Sequence, residues 1–457
     1  MIRTTISVAA IATCVQFAAA QLPAGDAAVA EANQRPQRSP TFVIEGPAER
    51  ATLYADGREV EADTRVVYRP MCGSDVSRVT PGDLQRWAQV AEAKHAAEPN
   101  ATVVSDGGAL RGGGLDIVFN ITSGFPAGAD VAMETAAAYI ESQFSDDVTV
   151  SIDVDFQNLG GGVIGSTGTF MIASFWTNAL PGLVSGMDPD DFIQDWLPAG
   201  TTIPVRYDGA SATVTDENRV FFTRSNFRAT IGNTVGIAAN MTFNSSFLFD
   251  FDPSNGILIG RTCFQSVVVH EVGHALGFTS NADGGTLDID ALDLFRFQFS
   301  DGTGDYNPDT LEEFQIRPRL VDFNTPNDSH IVDVITGGEF RMEDGSPWQA
   351  SHFRQTVNAI MDPNLAAGET FYPNFYRNAD LTMLDAIGWD FPPVIVGDCD
   401  GDGTLDMPGD LPCFVDALLG IDTMPPGGIA RSNINGDATT DGGDAQGFVD
   451  CLTTGCP

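Results

Sequence analysis

The run Val267-Val-Val-His-Glu-Val-Gly-His-Ala-Leu-Gly-Phe278 constrains this chain more than any other stretch, because it sets two histidines and a glutamate inside an otherwise apolar segment. Residues i and i+4 of an α-helix share a face about one turn apart, so His270 and His274 can reach one metal ion with Glu271 beside them. With so few histidines in the chain, chance would produce H-E-x-x-H in roughly three such sequences per thousand. Two histidines merely packed in a core helix would suit Val267, Val268, Ala275 and Leu276 as neighbours. Glu271 weighs against that, since a carboxylate buried between two imidazoles is costly without a cation or a hydrogen-bond network. The spacing therefore predicts a helical zinc site with Glu271 as its base.

A catalytic zinc site takes three protein ligands and keeps one position open for water. Ser280 stands where a closely spaced third histidine, H-E-x-x-H-x-x-G-x-x-H, would fall. The downstream acids of Asp288-Ile-Asp-Ala-Leu-Asp293 are all Asp where the other common pattern uses Glu. His95 lies near the N-terminus, His330 follows Asn327-Asp-Ser, and His352 lies in Ser351-His-Phe-Arg-Gln-Thr-Val-Asn-Ala-Ile-Met-Asp-Pro363.

With that last segment the chain resembles the leishmanolysin-like metzincins, in which H-E-x-x-H-x-x-G is followed by a long insertion, a third zinc-binding His and a Met-turn beneath the metal. His270, Glu271, His274 and Gly277 match the first part, His352 the displaced ligand and Met361 the Met-turn. The resemblance covers Leu115 to Trp389. It implies an α/β (α+β) metzincin-like catalytic domain, with a twisted mixed sheet and an active-site helix, that hydrolyses peptide bonds with Glu271 as general base. Asp293-Leu-Phe-Arg-Phe297 in the insertion has no role in that pattern, and His330 stays open as an alternative third ligand.

The N-terminus carries Arg3, a short apolar stretch and Ala18-Ala-Ala20 before Gln21, which predicts a secretory signal over residues 1–20. No later run of about 20 apolar residues suggests a membrane span, so a secreted protein is expected. Export permits disulfides among Cys72, Cys263, Cys399, Cys413, Cys451 and Cys456. Residues 21–112 read as a leader or pro-region, with a linker at Arg35-Pro-Gln-Arg-Ser-Pro40, an amphipathic helix over Asp83 to Lys94 and a glycine-rich boundary at Gly112-Gly-Gly114. Within it, Arg69-Pro-Met-Cys-Gly73 resembles the cysteine switch of matrix metalloproteases, which implies Cys72 as a latency ligand for zinc; a disulfide with Cys263 is the other reading.

The zinc domain is expected over residues 113–391. Leu115 to Ile121, Ala127 to Phe144 and Val148 to Phe156 read as strand, helix and strand of an α/β unit. Ile237 to Phe249 reads as strand at a sheet edge or hairpin, a place where an extended peptide substrate could pair.

Residues 392–457 form a separate module. From Asp398 onward eleven Asp face one basic residue, Arg431. Asp398, Asp400, Asp402 and Asp406 occupy positions 1, 3, 5 and 9 of an EF-hand-like loop with Gly403 at position 6. A second copy places Asn433, Asn435, Asp437, Asp441 and Asp444 at positions 1, 3, 5, 9 and 12. Asp410 comes one residue late for position 12 of the first copy, and Ala438 replaces the turn glycine of the second. Each loop precedes a short apolar helix, at Phe414 to Leu419 and at Phe448 to Leu452. The duplication resembles type I dockerins. That resemblance implies a small α-helical calcium-binding module and a cohesin-like or cell-surface scaffold partner.

A net charge of −39 argues against nucleic acid as a partner, because phosphate backbones demand Lys and Arg. Two function classes are expected: a secreted zinc endopeptidase acting on protein or peptide, and a non-catalytic extracellular adhesion or scaffold protein acting through its calcium tail.

Overall fold

The computed structural model describes residues 42–45, 49–73, 102–104, 114–121, 124–160, 162–185, 187, 193–209, 211–283, 287–299, 308–322, 330–334, 338–345, 348–392, 396–399, 405, 407–420, 431–435 and 439–454. The signal segment, the helix expected over Asp83 to Lys94, His95, Asp400, Asp402, Asp406 and Asp437 lie outside the described residues. The fold is mixed, of the α+β class, with several sheets and eight helices among the described residues. One compact unit takes in the described residues up to Ile140 and Asp146–Asp390; a second takes in Glu141–Ser145 and the described residues from Phe391 onward.

The first unit is built on an eight-stranded sheet of β1 (Phe42–Glu45), β2 (Thr64–Gly73), β3 (Thr102–Val104), β4 (Asp116–Ile121), β5 (Thr149–Gln157), β6 (Val163–Phe175), β7 (Arg219–Thr223) and β8 (Ala239–Asn244). Its order is β1-β2-β6-β8-β5-β4-β3, with β7 also pairing β6. Strands β4, β5 and β8 run parallel, and the remaining pairs are antiparallel. Helix α1 (Ala129–Glu141) connects β4 to β5, and Ala129, Ala132, Ala136, Ala137 and Ile140 recur at helical spacing to form its buried stripe. This is the strand, helix, strand unit that the periodicity predicts.

Helix α2 (Phe264–Leu276) carries the H-E-x-x-H run, and all of its residues are buried. A helix buried on every side lies inside a core. Its first residue, Phe264, packs on Phe243 of β8 at 4.7 Å, on Phe249 at 5.1 Å and on Phe156 of β5 at 5.6 Å between ring centroids. Burial of each such ring contributes roughly 1.5–3 kcal/mol, so the cluster fixes where α2 starts relative to the sheet. At the other end Trp389, just beyond α3 (Asn378–Ala386), donates from Nε1 to the Leu276 carbonyl at 2.7 Å.

One expectation is corrected here. Strand β8, read from the sequence as an edge or hairpin, is interior: it pairs with β5 on one side and β6 on the other, and all six of its residues are buried. Its residues alternate, Ala239, Met241 and Phe243 with Asn240, Thr242 and Asn244, which is the pattern of a half-exposed strand, yet both sets are buried. Nor does β6 offer an open edge, because β2 pairs with it from Thr64↔Ile172 to Gly73↔Val163.

Residues read as a leader are thus woven into the same sheet. Arg65 of β2 is buried and bonds Asp288 at 2.6 Å and the fully buried Asp290 at 3.2 Å. Glu49, in the strand Glu49–Leu53, pairs with the buried Arg224, and Ala51, Leu53 and Ala62 join the core.

The second unit contains α4 (Met407–Leu418) and α5 (Ala445–Thr454), which take in the two short helices expected from the duplicated pattern except for Leu419. Cys399, Cys413, Phe414 and Phe448 form its core, with Leu418, Ile434, Ala445 and Leu452 packed against them. The Phe414 and Phe448 rings stack with centroids 4.1 Å apart. Cys399 and Cys413 form a disulfide. No helix among the described residues is long and apolar enough to cross a membrane.

Candidate metal centre

Three histidines converge beside the sheet. His270 and His274 lie one turn apart on α2, and His352 arrives from the segment that follows the insertion. Nε2 of His270 is 3.1 Å from Nε2 of His274 and 3.3 Å from Nε2 of His352, and all three side chains are buried. Three ring nitrogens bound tetrahedrally to one zinc ion at roughly 2.0–2.1 Å would stand about 3.3 Å apart, so the donor set fits that ion. Among the described residues this triad is the group of His, Cys, Asp and Glu close enough to hold a metal.

Each imidazole is oriented through its other nitrogen. Nδ1 of His270 meets the Ile360 carbonyl at 2.7 Å, that of His274 the Phe278 carbonyl at 2.6 Å, and that of His352 the Gln349 carbonyl at 3.3 Å. A carbonyl only accepts, so each Nδ1 must carry the proton and each Nε2 presents its lone pair to the centre. Burial pulls His270 down to about 4, with the Ile360 carbonyl acting the other way, which keeps this ring neutral and able to ligate. The Phe278 carbonyl can reach back to His274 because Gly277 ends α2 at φ 130°.

Met361 lies against the same helix. A Cβ at Gly273 would fall 2.5 Å from the Met361 sulfur, so the glycine inside the motif is what lets this residue seat beneath α2. The Met361 turn is held by Asp380 of α3, whose carboxylate accepts the N–H groups of Ile360 at 2.9 Å, Met361 at 3.0 Å and Arg377 at 2.8 Å. The carbonyl that orients His270 therefore belongs to a segment pinned from a second helix. Burial pushes the Asp380 carboxyl up to about 7, against the pull of those three donors.

The insertion residues that matched no pattern brace the third histidine. Asp293 is fully buried and accepts from the Ser280 hydroxyl, the Asn281 and Asp290 N–H groups and Nε of Arg296. Arg296, also fully buried, donates to the carbonyls of Glu343 at 3.1 Å and Ala350. Ser280 N–H donates to the Ser351 hydroxyl at 3.0 Å. Ser280, in the place of a closely spaced ligand, thus helps hold the residue next to His352. Sequence reading missed this network, although an Asp and an Arg three apart in the apolar run Ala291 to Phe297 was its signal: buried charges need each other.

Glu271 points its carboxylate at β6. Oε2 accepts from the Thr167 hydroxyl at 2.5 Å, and Oε1 is buried with no hydrogen-bond partner among the described residues. Burial pushes the carboxyl up to about 8, and the Thr167 bond works against that.

Other predicted residues fall elsewhere. His330 begins the strand His330–Val334, paired in register with Gln298. Cys72 lies in β2 between Met71 and Gly73, which pair with Gly165 and Val163. Cys263 is a buried free thiol that accepts from the hydroxyls of Ser266 and Thr370, so a Cys72–Cys263 disulfide is not formed. In the second unit Asp398 and Asp444 are buried while Asn435 and Asp441 are exposed. Asp444 accepts the N–H groups of Ile434, Asn435 and Asp441 at 2.8–3.0 Å and so closes its loop. Asp410 is as fully buried as Asp444, and each precedes its core phenylalanine by one helical turn. No protein-family model, curated protein or solved structure matches this chain.

Proposed function

We propose that the first unit is a zinc-dependent endopeptidase of the metzincin type, exported and carrying a calcium-binding tail of the dockerin type. The observation that carries this reading is the convergence of three oriented Nε2 atoms, two of them on the helix that also carries the buried Glu271. His270, His274 and His352 would hold the ion. Zinc in that position supplies Lewis acidity to a water and to the scissile carbonyl.

The chain's own residues do the rest. Glu271 stands next to His270 in sequence, and its unpartnered Oε1 is the atom that takes the proton from the attacking water and returns it to the leaving amine. Proton transfer of this kind contributes typically 10²–10⁴-fold. The carbonyls of Ile360, Phe278 and Gln349 hold the three imidazoles in the ligating tautomer throughout.

Metal analysis of the purified chain, with casein hydrolysis measured before and after chelator treatment, tests the proposal. One zinc per chain and chelator-sensitive hydrolysis are expected, with Glu271→Gln retaining zinc and losing hydrolysis. Zinc binding without hydrolysis in the wild type would instead favour the adhesion or scaffold reading.

A further inference from the structure

Strand β6 supplies two residues to the Glu271 carboxylate that lie outside any ligand pattern. Thr167 is buried, and its strand is paired on both sides, with Arg69 of β2 opposite it on one edge and Met241 of β8 on the other. Its hydroxyl stands 2.5 Å from Glu271 Oε2 and 3.2 Å from the Glu271 carbonyl oxygen. A hydroxyl has one proton to give, and the shorter contact, to the charged acceptor, takes it. Two residues earlier, on the same face, Gly165 leaves open the space beside Oε1: a Cβ built there would lie 2.2 Å from that oxygen.

We propose that Gly165 and Thr167 form a cradle for the general base, in which Thr167 holds Oε2, Gly165 makes room for Oε1, and the strand thereby selects Oε1 as the oxygen that receives the proton. The proposal rests on the reading of Glu271 as a base. Thr167 is a positioning residue: it acts only through Glu271. Its backbone is locked by both neighbouring strands, so the hydroxyl is presented from a rigid element and costs no ordering at the moment of reaction. One carboxylate oxygen is occupied by a hydrogen bond, and the other is left without a hydrogen-bond partner among the described residues.

The test uses the full chain. Thr167→Val removes the hydroxyl, keeps the shape and suits a strand. Its kcat on a casein-derived peptide is expected to fall ~10- to 100-fold with KM and zinc stoichiometry held, the usual effect of losing a residue that orients a site. Thr167→Ser restores kcat, because the hydroxyl alone is required. Gly165→Ala lowers kcat with zinc retained, because the methyl group displaces Oε1. An independent readout uses chelator-treated protein. Thr167→Val lowers the melting temperature of the full chain but not that of the Glu271→Ala variant, where the acceptor is already gone.

A Thr167→Val enzyme with unchanged kcat would overturn the cradle, as would an equal loss of melting temperature in the Glu271→Ala background. Failure of Thr167→Val to fold would overturn it too, since the residue would then be holding the sheet and not the carboxylate. If the wild-type chain with zinc hydrolyses nothing, the endopeptidase reading falls, and the melting temperatures still decide whether Thr167 and Glu271 are coupled.

Discussion

The two units organise candidate metal ligands in opposite ways. In the first, His270, His274 and His352 sit inside a large apolar core and each is oriented by a backbone carbonyl through Nδ1, so the chain itself sets the ligand geometry. In the second, Asn433, Asn435 and Asp441 lie at or near the surface while Asp398 and Asp444 are buried, and the core is small: two stacked phenylalanines, a few aliphatics and the Cys399–Cys413 disulfide. A pre-oriented donor set rests on fold stability that exists without the ion, whereas a small module depends on staples, and on the ion if it binds one. The difference teaches that the histidine centre should survive loss of its metal as a folded structure, and that the tail's stability should respond to calcium and to redox state.

The largest effect that would break this contrast comes from the third ligand. His352→Ala is expected to lose stoichiometric zinc and all hydrolysis while keeping its helical circular dichroism, and retained zinc in a metal assay would remove His352 from the site. Next comes the brace behind it. Arg296→Met leaves Asp293 as a buried charge without its ion partner, a loss of about 3–5 kcal/mol, read as a fall in the denaturation midpoint of the first unit together with weaker zinc affinity.

In the second unit, reducing the Cys399–Cys413 disulfide opens a loop of 14 residues. This should lower the tail's stability by about 3 kcal/mol, and added calcium should offset part of that, with zinc content unchanged. Calcium titration followed by near-ultraviolet circular dichroism checks it.

The last test is a pH slope. Burial raises the Glu271 carboxyl from 4.5 to about 8 and the Asp380 carboxyl from 3.8 to about 7. An acid whose folded-state value is raised binds its proton more tightly when folded, so its contribution is complete below the unfolded value and is lost as pH rises through the folded one. Chelator-treated protein should therefore melt at progressively lower temperature from about pH 4.5 to about pH 8, and Glu271→Gln should flatten the upper part of that slope.

What the sequence showed of this site was what local spacing encodes. His270, Glu271 and His274 were legible because four residues make one helical turn, and β4, α1 and β5 because their apolar residues alternate or recur at the expected period. His352 came from a resemblance, and its geometry depends on Asp293, Arg296 and Ser280, which no local pattern links. Thr167 carried no signal at all, because a threonine in a Gly-Ser-Thr-Gly-Thr run could face either side of a sheet. The interior place of β8 and the incorporation of β2 were hidden for the same reason: pairing partners are chosen by tertiary packing, and propensity does not record them.

The pairing of β2 with β6 has a consequence in time. It joins residues 64–73 to residues 163–172, so β2, made early beside its neighbour β1, must wait for β6 about 100 residues further along. At roughly 5–20 residues per second that delay is about 5 to 20 s. Throughout it Arg65 and Glu49 have no Asp290 or Arg224 to meet. β1 and β2 are thus made early yet join the rest of the sheet only through β6, and β8, which links β6 to β5, is the last strand of the sheet to be made.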